Sequence, residues 1–157
     1  MRLPQMPIEV QAVFDACTDP VRQGLLHLRD LIQTQAALMP QIGPLTEALR
    51  WGQPAFLTLQ TGAACSLRIG PTKSGGFALF VHCQSGLIGP FATGAGAGLR
   101  FDGSRAVLFD ASDQIDGAQI SVLIGQALAY HLIRLGQAGV VRRHPTPKPQ
   151  GRTAQNP

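Results

Sequence analysis

The chain has 157 residues, 45% hydrophobic and 14% charged, the composition of one globular domain with a single sizeable core. Its net charge of +4 and pI near 9.5 invite a nucleic-acid reading, but Arg142, Arg143, Lys148 and Arg152 all lie beyond residue 140. Nine Lys/Arg then face nine Asp/Glu before that point, so the body of the chain offers no basis for a specific nucleic-acid interface.

Three cysteines, Cys17, Cys65 and Cys83, stand at unrelated spacings and form neither a disulfide framework nor a Cys-x-x-Cys site. The leading MRLPQMPIEV lacks an apolar h-region, and no apolar run nears the ~18 residues of a membrane span. A cytoplasmic protein with free thiols and no membrane partner is expected.

Residues 8–16 carry a short apolar-patterned helix. Asp19-Pro20 then reads as N-cap and first helical position of a longer one. Its apolar stripe is Val21, Leu25, Leu28, Ile32 and Ala36, and it ends near Met39-Pro40. Gly43-Pro44 opens a further helical turn or two through Leu45, Ala48 and Leu49, with Glu47 and Arg50 one turn apart for an ion pair. After Pro54 the period becomes alternating. Strands are predicted at Ala55–Gln60, Cys65–Gly70, Phe77–Gln84, Leu99–Asp102 and Arg105–Phe109, separated by turn-rich segments. LIGPFATGAGAG, between the third and fourth, reads as a helical turn and a glycine-rich loop. Asp116-Gly117 opens a last helix to Leu135, with Ile120, Leu123, Ile124, Ala127, Leu128 and His131 on one face and Tyr130 pointing away from it. Residues 1–136 form one domain, and 137–157 form a basic, proline-rich tail that cannot bury enough surface to order itself.

Helices, a run of strands and a final helix make an α+β pattern. The expected assembly is an antiparallel sheet of about five strands with the N- and C-terminal helices packed on one face. Alternation points Phe77, Leu79, Val81 and Cys83 inward and Phe80, His82 and Gln84 to the open face. Arg68 joins them there, with Trp51 and Gln53 at the border.

The candidate chemistry is sparse. Adjacent His82 and Cys83 point to opposite faces of a strand, so they do not make a nucleophile and base. Cys65, Cys83, His82 and His131 lack the close ligand pairs of a zinc site. Gly94-Ala95-Gly96-Ala97-Gly98 leads into a strand, whereas phosphate cradling needs a helix start. Trp51 reads first as a packing anchor, because one indole buries a large area. Arg105, after the Gly103-Ser104 turn, is a candidate anion contact.

LLHLRDLI, EALRWGQP, FALFVHCQ and LRFDGSRAV resemble segments of the YdhG-like family of small bacterial domains. The resemblance spans roughly residues 10–135. Its most specific part is Glu-x-x-Lys/Arg-Trp-Gly-x-Pro, matched here by Glu47, Arg50, Trp51, Gly52 and Pro54. It implies a frataxin-like fold, and one member of that family is proposed as an iron chaperone. Frataxin-type iron binding uses an acidic ridge on helix and first strand, since hard iron ions favour carboxylate oxygen. Here the first two helices hold only Glu9, Asp15, Asp19 and Asp30, and the predicted first strands hold no acid.

The sequence thus leads to a non-enzymatic module that binds a small molecule or a protein on its open sheet face. Trp51 and Phe80 supply apolar contact; Gln53, Arg68, His82, Gln84 and Arg105 supply polar orientation. Iron carriage, by family resemblance, and an enzyme built on His82 are the alternatives. No catalytic residue, metal or cofactor is assigned.

Overall fold

The structure, a computed structural model, describes residues 2–95 and 98–132 and leaves the Cys83 side chain undescribed. The expected tail therefore lies outside the described residues, as does part of the glycine-rich loop. Helices α1 (Ile8–Asp15) and α2 (Asp19–Ala37) come first. Strands β1 (Thr46–Arg50), β2 (Gln53–Leu57), β3 (Leu67–Pro71) and β4 (Phe77–Val81) follow. Helix α3 (Ile88–Gly94), strands β5 (Arg100–Asp102) and β6 (Ala106–Phe109), and helix α4 (Gly117–Leu128) complete the order. The strands form one antiparallel sheet in the order β1-β2-β3-β4-β6-β5. The α+β architecture is as expected, with six strands among the described residues instead of five.

The extra strand is the segment read as a helix. Glu, Ala, Leu and Arg all favour helix, yet tertiary pairing overrides that propensity and TEALR forms β1. Trp51 and Gly52 are the two loop residues of a β1–β2 hairpin in which Arg50 opposes Gln53. Both have positive φ, 51° and 74°, the backbone of a type I′ turn whose twist matches that of the strands. The proposed Glu47–Arg50 ion pair is lost with the helix. Glu47 instead meets Arg29 of α2, at 2.6 and 2.7 Å, with both side chains buried. Arg29 also donates to the Pro4 carbonyl, which ties the N-terminal segment to the same cluster.

Phe56, Leu67, Ile69, Phe77, Leu79, Val81, Val107 and Phe109 face one way and form the core with α1, α2 and α4. The two long helices thus cover the same sheet face, which is the register expected for Leu79. Gly24 marks the closest approach of α2 to the sheet: a Cβ there would sit 2.1 Å from the Phe77 ring, which is stacked on Phe109. Asp19 is the first residue of α2, and Thr18 holds the N-cap position assigned to it. Asp116 caps α4 as expected, accepting from the amides of Ala118 and Gln119.

Among the described residues, the other sheet face carries no helix. Pairing sets its side chains in rows across the strands: Ala55, Arg68, Phe80 and Ala106 stand opposite one another, with Ala78 and Leu108 in the adjacent row.

Candidate functional site

Arg68 is the centre of the open face. Its guanidinium carbon lies 4.8 Å from the centre of the Trp51 ring and 5.4 Å from that of Phe80, so it is flanked by two aromatic faces. Nη1 donates to Oε1 of Gln53, and Nε donates to Oγ of Ser66 at 3.3 Å. Both partners are neutral. Among the described residues no carboxylate pairs with Arg68, and Nη2 makes no hydrogen bond.

Trp51 is not the packing anchor that its size implied. It is 79% exposed. Its left-handed backbone is a further oddity, because a bulky residue at positive φ is strained where Asn or Gly is not. Neither core packing nor turn formation accounts for a tryptophan here.

Gln53, Arg68, Phe80 and Arg105 line one cleft of about 530 Å³ on this face, with Lys73, Asp102 and Leu108. Arg105 donates to Oδ2 of Asp102 from Nε at 2.9 Å, and its Nη2 lies 2.8 Å from the same oxygen. Lys73, in the turn between β3 and β4, has no ion pair among the described residues. Partial burial, and secondarily the positive charge of Arg105, lower the pKa of Arg68 from its ordinary value. Two guanidiniums therefore share the cleft, and its Asp102 carboxylate is engaged by Arg105.

His82 and Gln84 do not belong to this cleft. Strand β4 stops at Val81, and residues 83–85 turn as a short 3-10 helix, so the alternation that was to carry Gln84 onto the open face ends early. The amide of His82 still donates to Ser66 O at 3.1 Å, which sets it on the opposite side of Arg68 from Gln53. Its Nδ1 accepts from the Gln84 amide at 3.1 Å. The two residues line a separate cleft of about 300 Å³ with Ser66, Cys65, Tyr130 and His131. No carboxylate hydrogen-bonds His82 among the described residues. Five of the seven predicted binding residues thus converge, since Trp51 packs on Arg68; two stand apart.

The end of α4 also departs from expectation. The helix breaks at Ala129 and residues 130–132 are helical again, with 133–135 outside the described residues. Past the break His131 leaves the apolar face and is exposed, while Tyr130 packs against the core. The His131 amide donates to Ala63 O at 2.8 Å, and the Cys65 amide to Ala127 O at 3.0 Å, closing the helix end against the loop before β3. Burial raises the pKa of the Cys65 thiol.

Lys73, Asp102 and Leu108 were missed. Alternation from Phe80 could have found Leu108, but nothing short of strand order brings the Lys73 turn beside Arg105. A larger apolar groove of about 680 Å³, between α1, the start of α2 and the β1–β2 and β3–β4 turns, was also missed. Ala12, Val13, Cys17, Val21 and Leu49 line it. Among the described residues, no three His, Cys, Asp or Glu side chains are placed to hold a metal, and no helix is long and apolar enough to cross a membrane. The one acid in β1, Glu47, is committed to Arg29. No family model, curated protein or solved structure matches the chain.

Proposed function

We propose that this chain is a non-enzymatic binding module that takes a small molecule on its open sheet face, around Trp51, Arg68 and Phe80. One observation carries the reading: a strained, exposed tryptophan and a half-buried arginine with no carboxylate partner among the described residues sit together at a cleft. Both features are unfavourable for an isolated fold, and a bound molecule would give each a partner. The cleft volume, about 530 Å³, is in the range of small-molecule sites. Gln53 fixes the arginine, and Phe80 closes its other side.

Kinship with the YdhG-like family is part of the same proposal and rests on the EALRWGQP segment. Iron carriage draws no support from the placement of acids, and catalysis by His82 draws none from its neighbours. Trp51 emission is the direct reporter: a molecule that binds here changes it, and Arg68→Gln weakens that response while the melting curve stays cooperative. A ligand that binds without disturbing Trp51 would count against this face.

A further inference from the structure

Resting on that reading, we infer that the ligand is a small organic oxyanion with a flat apolar body, its charged end taken by Arg68. Among the described residues three cations line the cleft, Arg68, Lys73 and Arg105, against the single carboxylate of Asp102, which Arg105 already engages. Arg68 uses Nε and Nη1 on neutral acceptors and retains Nη2, so a carboxylate or phosphate oxygen finds a free charged donor. An oxyanion there would also offset the partial burial of Arg68 and, secondarily, the positive charge of Arg105, which together lower its pKa.

The rest of the lining sets the body of the ligand. Phe80 and Leu108 offer apolar contact within the cleft, and the exposed Trp51 ring offers a flat face at its border. A concave site of this size suits a ring-sized molecule, and the charge balance of residues 1–140 argues against a polyanion. A neutral ring of the same shape would leave Arg68 buried without a countercharge, so the site discriminates on charge.

The test compares 2-naphthoate with its neutral isostere 2-naphthamide, by calorimetry and Trp51 fluorescence on the full chain. The acid should bind with a Kd of about 1 mM or tighter, and more tightly than the amide by about tenfold or more. Arg68→Gln should remove that preference. Lys73→Gln, on an exposed turn, should reduce it without touching the fold. 2-Naphthyl phosphate, run in parallel, names the head group: whichever of the two anions binds tighter identifies it, and both orders support an oxyanion. Equal affinity for acid and amide would overturn the anion inference while leaving the binding face standing. An acid preference that survives both variants would also overturn it, by placing the anion elsewhere. Failure of all three probes to bind would overturn the inference and the binding reading together.

Discussion

Arg29 and Glu47 meet through two hydrogen bonds, 2.7 and 2.6 Å long, buried between α2 and β1. Arg68, on the opposite face of the same sheet, has only neutral hydrogen-bond partners among the described residues. One arginine is consumed by the fold, and the other keeps Nη2 without a hydrogen bond among the described residues.

Breaking the buried pair tests the structural half of that contrast. Glu47→Gln leaves a guanidinium in the interior without its countercharge and should cost about 3–5 kcal/mol in urea denaturation. The double change Arg29→Met with Glu47→Leu should lie nearer the wild type, because no unpaired charge remains. A loss under about 1 kcal/mol for Glu47→Gln would mean that the pair behaves as an exposed one.

Trp51 should separate stability from binding. Asn-Gly is a favoured sequence for a type I′ turn, and a left-handed L-residue of ordinary shape is strained by ~1–2 kcal/mol. Trp51→Asn should therefore leave stability unchanged, or raise it by up to about 1 kcal/mol after loss of the Arg68 contact. Ligand-induced changes read by calorimetry should disappear. A marked fall in melting temperature would restore the packing role that its exposure argues against.

These residues also show what the sequence could reveal. Alternation in FALFV and SLRIG placed Arg68 and Phe80 on the open face, because the period-two pattern is local and one face is buried. EALRWGQP was misread because its residues favour helix individually, and only pairing with β2 makes them a strand. The Trp51 turn was hidden for the same reason: Trp-Gly is not among the usual hairpin pairs. His82 and Gln84 were misplaced by extending a strand past its end, a boundary fixed by the 3-10 turn and its His82 side-chain cap. The cleft itself depends on strand order, which no local pattern carries.

Gly24 offers a check on helix–sheet packing. In an exposed helix, glycine to alanine stabilises by ~0.5–1 kcal/mol. Here the new methyl meets the Phe77 ring, which is fully buried and stacked at 5.3 Å on Phe109. Gly24→Ala should destabilise by about 1–3 kcal/mol. A stabilising effect would show that α2 stands farther from the sheet.

Cys65 gives the pH dependence. Burial raises its pKa, so the folded state holds the thiol proton more tightly than the unfolded chain. The resulting stability is fully present below the unfolded thiol value of about 8.5 and is lost as pH rises through the folded pKa. Denaturation midpoints should fall on the alkaline side, and Cys65→Ala should flatten that limb. A midpoint that rises with pH there would contradict the sign.

The most direct measurement is amide and indole chemical-shift mapping of the full chain during titration with 2-naphthoate. Shifts are expected at the Trp51 indole N–H and at Gln53, Arg68, Phe80 and Arg105, with His82, Gln84 and His131 undisturbed. Shifts confined to the groove lined by Ala12, Val13 and Cys17, or to the His82 cleft, would contradict it.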